Sequence, residues 1–279
     1  MNYSIVITTF DKRFDAFFKP LLLSIKKLRP NVEVIVMVNG PAKADFDPVF
    51  RSSALDLMIS TPLVYPTMFP NFQSLAKLWN RGVLTSSNDR VLILNDDLGI
   101  DPNEENSFFD QFEAVLNTVP NKIFTINGSF SHFVVSKEDL IKVGFFDERL
   151  LGLGEEDGDF YWRYHETFDV EIPSFEIGNI DNVHSDITDG GYTKGIRTAA
   201  KFNREFVKTK KYQDLWFGGY KGMFDKRVKK ILPDENQYPY EAFYQANKHL
   251  LWAWLASLKS LTRKYEVSNC HIDIFLKSF

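Results

Sequence analysis

Three short runs of apolar, largely β-branched residues recur in the first hundred positions, and each stops at polar residues. They are Ser4-Ile5-Val6-Ile7-Thr8-Thr9, then Val32 to Val38 before Asn39-Gly40-Pro41, and Arg90-Val91-Leu92-Ile93-Leu94 before Asn95-Asp96-Asp97. Alternation would mark strands with one wet face, whereas continuous runs mark strands buried on both faces. Between the first two, Phe14, Phe17, Phe18, Leu21, Leu22, Ile25 and Leu28 recur at three and four like the inner face of a helix, with Pro20 tolerable only near its start. Asn71 to Gly82 reads as a second helix, with Leu75, Leu78 and Trp79 inward. Strands alternating with helices imply an α/β domain around a mostly parallel sheet. Ligands of such sheets gather at the carboxyl ends of the strands, here Thr8-Thr9, Asn39-Gly40 and Asn95-Asp96-Asp97.

The chain is long enough for this, with 279 residues of which 44% are hydrophobic and 25% charged. Its 26 Phe and 11 Tyr leave rings for stacking on a base or a sugar. A net charge of −4 argues against a nucleic-acid partner and leaves a small anionic ligand open. The single Cys270 excludes an intramolecular disulfide and a multi-cysteine zinc site. No apolar run reaches the roughly 18 residues needed to span a bilayer. Met1-Asn2-Tyr3-Ser4 lacks the basic start of a signal peptide, so a cytoplasmic location is expected.

After about residue 120 the spacing loosens, with strand-like runs at Lys122 to Ile126 and Phe133-Val134-Val135 and a glycine- and acid-rich loop at 152–159. From about residue 200 the chain turns basic and helical in pattern. The organisation expected is one domain over 1–200, in two halves (1–100 and 101–200), followed by a helical extension over 201–279.

Asn95-Asp96-Asp97 presents two carboxylates and an amide at a strand end, a set of oxygens suited to Mg²⁺ or Mn²⁺ bridged to a diphosphate; the same residues also make turns. In Gly152-Leu153-Gly154-Glu155-Glu156-Asp157-Gly158-Asp159, four carboxylates stand within five residues. Crowded like charges raise one another's pKa values and can poise one as a general base, although an acidic first turn of a helix would look alike. His184, in Asn182-Val183-His184-Ser185-Asp186, is a candidate metal ligand. The spacing of His132, His165, His249 and His271 carries no reading.

Together these segments resemble the family 2 glycosyltransferases of GT-A fold. Ser4-Ile5-Val6-Ile7-Thr8-Thr9-Phe10-Asp11-Lys12-Arg13 is similar to the family's opening strand and its Thr-Tyr-Asn-x-x-Arg-like end, and Val91 to Asp97 to its DXD strand. Gly144-Phe145-Phe146-Asp147-Glu148 is similar to its Gly-Gly-Phe-Asp-Glu segment, and Glu155 to Asp159 stands where the family carries Glu-Asp-x-Asp. The resemblance covers about residues 3–200, which it implies are a catalytic domain with a nucleotide-sugar half (1–100) and an acceptor half (101–200), and it has a faint echo at Trp216-Phe217-Gly218-Gly219. Two departures are Asn95, in place of the first Asp of DXD, and Val38, where relatives often place an acidic residue that reads the base.

The resemblance implies a metal-dependent, inverting hexosyl transfer from a nucleotide diphosphate, with uridine the expected base, onto a glycan or lipid-linked acceptor in surface-polysaccharide assembly. Asp97 and His184 would hold Mn²⁺ or Mg²⁺, and Asp157, beside Glu156, would be the base. The donor would be bound by Thr8, Thr9, Phe10, Asp11, Arg13, Asn39, Lys77, Asn95 and Asp96, with Lys194 or Arg197 closing over the diphosphate. A glycoside hydrolase would need two carboxylates about 5 to 9.5 Å apart across a sugar, which neighbours in sequence seldom achieve. No Gly-x-Gly-x-x-Gly follows the first strand, which argues against a nicotinamide dehydrogenase. The rival from another class is a catalytically silent sugar- or nucleotide-binding subunit, which Asn95 favours. Near the C-terminus, Phe243, Leu250, Leu251, Trp254, Leu255, Leu258 and Leu261 form a stripe beside Lys248, Lys259, Arg263 and Lys264. Such a helix either lies in a membrane interface or packs on the catalytic domain.

Overall fold

β1 (Ser4–Thr9) runs through α1 (Asp11–Arg13) and a π-helical turn (Phe14–Phe18) into α2 (Lys19–Leu28), and the chain returns as β2 (Glu33–Val38). In this computed structural model the residues described are 3–40, 47–70, 72–102, 106–119, 122–183, 200–201, 203–204, 206–207, 212–214 and 228–230. The helical spacing around Pro20 is broken by the π turn just before it. Proline cannot donate the backbone bond of a continuing helix and crowds the preceding turn. Pro20 sits within the first two positions of α2, where that donor is not needed.

Next come α3 (Pro48–Ser60), β3 (Val64–Met68), α4 (Leu75–Thr85) and β4 (Arg90–Asn95). Asp47 caps α3 by accepting from Val49 N at 2.7 Å and Phe50 N at 3.2 Å. Then follow β5 (Leu98–Ile100), α5 (Phe108–Thr118), β6 (Phe124–Ile126), β7 (Ser129–Ser136), α6 (Lys137–Val143), α7 (Glu156–Phe168), β8 (Ser174–Phe175) and β9 (Ile180–Asn182). The main sheet has the order β3-β2-β1-β4-β7-β6-β8. It is parallel from β3 to β4, whereas β7 runs antiparallel to both β4 and β6. β5 and β9 form a separate antiparallel pair.

The chain forms two compact units interleaved in sequence. The first comprises Met1–Asn71, Leu78–Leu140 and Ile172–Asp186 and holds the main sheet; the second comprises Phe72–Lys77, Ile141–Glu171 and Ile187–Phe279. In the first unit Ile5, Val6 and Ile7 are fully buried, as two-sided burial requires. One face of the sheet carries Ile5, Ile7, Val34, Val36, Leu92 and Leu94 into a cluster with Phe14, Phe18, Leu22, Ile25, Phe108 and Phe112. On the other face α4 approaches closely. A Cβ on Gly82 would stand 2.4 Å from Val6 Cγ1, and Trp79 meets Phe133 edge-on at 5.1 Å.

In the stretch expected to be helical, β10 (Tyr212–Asp214) and β11 (Val228–Lys230) pair antiparallel. Tyr and Val favour extended backbone. The apolar stripe from Phe243 to Leu261 lies outside the described residues. No helix among the described residues is long and apolar enough to cross a membrane.

Candidate functional site

β2, β1 and β4 are neighbours and parallel, so their carboxyl ends lie side by side. Thr8 stands opposite Asn95, and Thr9 opposite Val38. Asn39 N donates to Thr9 O at 2.7 Å, and the Asn39 side chain accepts from Gly40 N at 3.0 Å. Thr8, Thr9 and Asn39 are buried, while Asn95 is half-buried. The three polar strand ends expected from sequence thus meet within the first unit.

Arg13 ties the end of β1 to that of β4. Its Nη2 lies 2.8 Å from Asp96 Oδ1 and 2.6 Å from Asp97 Oδ2. The guanidinium carbon is 5.4 Å from the centre of the Phe17 ring and 5.9 Å from that of Phe10. Asp96 is only 3% exposed, and burial pushes its carboxyl up to about 7, against the opposing pull of Arg13. The turn carrying the pair is pinned by Val183 N, which donates to Asp97 O at 2.8 Å, next to the paired β5 and β9. Asp11, by contrast, is exposed and accepts from the backbone of Lys12 at 2.8 Å.

Each carboxylate of the pair keeps one buried oxygen, Asp96 Oδ2 and Asp97 Oδ1, without a hydrogen-bond partner among the described residues. Orphaned acceptors of this kind are costly unless something fills them. Hard oxygen donors on consecutive residues fit Mg²⁺ or Mn²⁺. Among the described residues no group of three or more His, Cys, Asp or Glu is placed to hold a metal ion. His184, Lys194 and Arg197 lie outside the described residues.

The acidic loop belongs to the second unit, as does Lys77, which is half-buried in the first turn of α4. Gly154 (φ +115°) and Glu155 (φ +76°) turn through the left-handed region into α7. A Cβ on Gly154 would meet Ala200 Cβ at 2.8 Å. Glu156 is buried and accepts from Gly154 N at 2.6 Å. Burial, then the charge of Asp157, pushes the Glu156 carboxyl up to about 8, so it keeps its proton at neutral pH. Asp157 is exposed. Asp159 is fully buried, and Arg163 Nε reaches it at 3.0 Å while Arg163 Nη1 donates to the carbonyls of Val143 and Gly144. The Gly144–Glu148 segment is structural in the same sense: Arg149 grips Asp147 at 2.8 and 2.6 Å, and Phe146 stacks on Phe160 at 4.4 Å.

Two residues had no reading in the sequence. Asn203 accepts from Leu151 N at 2.7 Å and donates to Leu151 O at 2.8 Å and Gly154 O at 2.7 Å, holding the loop before α7. Local pattern cannot signal a clamp made by a side chain about fifty residues downstream. His132, on β7 opposite Leu94, is 4% exposed and neither ring nitrogen has a hydrogen-bond partner among the described residues.

No protein-family model matches the sequence, and no curated protein matches it. Solved structures do. GalNAc-T7, solved with UDP, GalNAc and Mn²⁺, aligns over 95% of this chain and 55% of its own length, with 10% identity and a TM-score of 0.54. The chain has a GT-A glycosyltransferase fold. Two further structures align less closely. Residues 1–349 of S. aureus TarS with UDP-GlcNAc match over 81% of this chain and 71% of that one, at 12% identity and a TM-score of 0.48. Glucosyl-3-phosphoglycerate synthase from Mycobacterium tuberculosis with Mn²⁺, UDP and glucosyl-3-phosphoglycerate matches over 72% and 78%, at 14% identity and 0.48. The chain spans 44% of the longer TarS structure. On this GT-A fold, the Asp96-Asp97 turn closes β4 at the centre of the sheet.

Proposed function

We propose that this chain is a family 2-like glycosyltransferase that moves a hexosyl group from a uridine diphosphate sugar to a glycan or lipid-linked acceptor, with inversion. The observation that carries the reading is the Asp96-Asp97 pair, with two orphaned buried oxygens, at the strand end beside Thr8, Thr9 and Asn39. GalNAc-T7, which shares the fold and was solved with UDP and Mn²⁺, supports it.

Asp97, with Asp96 beside it, would hold Mn²⁺ or Mg²⁺; bound there, the ion supplies Lewis-acid stabilisation of the departing diphosphate. His184 would be a further ligand, and the bond from Val183, the residue before it, to Asp97 O supports this. Thr8, Thr9, Asn39 and Asn95 would meet the nucleoside and sugar, with Phe10 and Asp11 at the edge. Arg13, Lys77, Lys194 and Arg197 supply positive charge for the diphosphate. Asp157 takes the proton from the acceptor hydroxyl as that oxygen attacks the anomeric carbon. Glu156, which carries its proton at neutral pH, holds Gly154 N instead. The division into catalytic domain (1–200) and extension (201–279), a cytoplasmic location and a peripheral contact of the C-terminal stripe with anionic membrane belong to the same proposal. Salt-sensitive cosedimentation with anionic liposomes tests the last part.

Calorimetric titration with UDP tests the donor site. Saturable binding that requires Mn²⁺ and falls at least tenfold in Asp97→Asn is expected; equal binding with and without the ion would refute the metal role.

A further inference from the structure

The Arg13 contact has a meaning beyond donor binding, resting on the reading just given. One nitrogen of Arg13 spans Asp96 Oδ1 and Asp97 Oδ2, which belong to adjacent residues, one of them almost wholly buried. Without that cation, two carboxylates on adjacent residues, Asp96 buried and Asp97 half-buried, would carry like charges with little water to screen them, an arrangement that is expensive to maintain. Asp96 Oδ1 and Asp97 Oδ2 are therefore taken, and the other two oxygens, Asp96 Oδ2 and Asp97 Oδ1, have no hydrogen-bond partner among the described residues. A divalent ion on Asp96 Oδ2 and Asp97 Oδ1 would lie within a carboxylate's width of the guanidinium and be repelled by it.

We infer that Arg13 is an exchangeable counter-ion: it neutralises the Asp96-Asp97 pair in the empty site, and passes to the diphosphate when a divalent cation replaces it on the carboxylates. Arginine suits both partners, since its planar fork matches carboxylate and phosphate oxygens alike. The Phe10 and Phe17 rings lie near the guanidinium, which is the part that would move. The consequence is linkage: cation and nucleoside diphosphate each remove the obstacle to the other, so each tightens the other's binding by the same factor.

The test measures Mn²⁺ affinity by electron paramagnetic resonance, with and without UDP, in the wild type, Arg13→Met and Arg13→Lys. In the wild type Mn²⁺ binds weakly alone and at least tenfold more tightly with UDP. Arg13→Met binds Mn²⁺ alone at least tenfold more tightly than wild type, binds UDP at least tenfold more weakly, and loses most of the linkage. Arg13→Lys shifts both in the same directions by smaller factors and serves alone if Arg13→Met does not fold. Weaker or unchanged Mn²⁺ binding in a folded Arg13 variant would overturn the inference, because a purely structural clamp holds the carboxylates in place for the ion. If the wild type bound no nucleotide at all, the functional reading would fail, while the Mn²⁺-alone comparison would still decide the role of Arg13.

Discussion

Arg163 Nε lies 3.0 Å from Asp159 Oδ2 one helical turn away, and both side chains are buried. Of the acidic residues at the start of α7, Asp159 is therefore committed to holding Arg163, and through it the Val143 and Gly144 carbonyls. Asp159→Asn should cost about 3–5 kcal/mol, because it strands a buried guanidinium. Denaturant unfolding reads this, and a loss below about 1 kcal/mol would contradict it.

Asp157→Asn should behave in the opposite way. Its carboxylate is exposed and the proposed role as base asks nothing of it in folding, so stability should hold within about 0.5 kcal/mol. Turnover should fall roughly 10²–10⁴-fold with UDP affinity retained. Joint loss of turnover and UDP affinity would make Asp157 a donor ligand.

Glu156 gives a pH signature. Its folded carboxyl is raised from 4.5 to about 8, so the folded state binds its proton more tightly than the unfolded chain does. The stability it contributes is complete below about pH 4.5 and is lost as pH rises through 8, with a slope of at most about 1.4 kcal/mol per pH unit. Unfolding free energies across that window should fall less steeply with pH in Glu156→Gln than in the wild type; parallel curves would contradict the assignment.

How far the fold could be read from sequence varied with how local the cause was. Ser4–Thr9 and Val91–Leu94 were legible as central strands because burial on both faces leaves an unbroken apolar run. β3 was not, because its Val-Tyr-Pro-Thr-Met is an edge strand, with Tyr65 exposed and Pro66 breaking the pattern. The antiparallel β7 within a mostly parallel sheet is a matter of topology, which a strand's own residues do not encode. Within the candidate site, the position of Asp96 and Asp97 at the end of a buried strand was legible from the apolar run before them. The Arg13 bridge was not, since a pair more than eighty positions apart leaves no local trace.

His132 illustrates the same limit, and is testable. Burial lowers its pKa from 6.5, so protonation favours the unfolded chain and stability falls as pH drops through that value. His132→Leu should raise stability by about 1 kcal/mol at neutral pH, since two unpaired nitrogens are removed, and by more under acid. Destabilisation in that variant would mean that the ring is hydrogen-bonded to water.

Release of free nucleotide diphosphate from a panel of donors in the presence of Mn²⁺ decides whether the chain consumes a nucleotide sugar. Release is expected from at least one UDP-hexose or UDP-N-acetylhexosamine, abolished by chelation and by Asp97→Asn. Folded protein that binds UDP yet releases none from any donor, with glycan and lipid-linked acceptors supplied, would contradict it and leave a silent nucleotide-binding subunit.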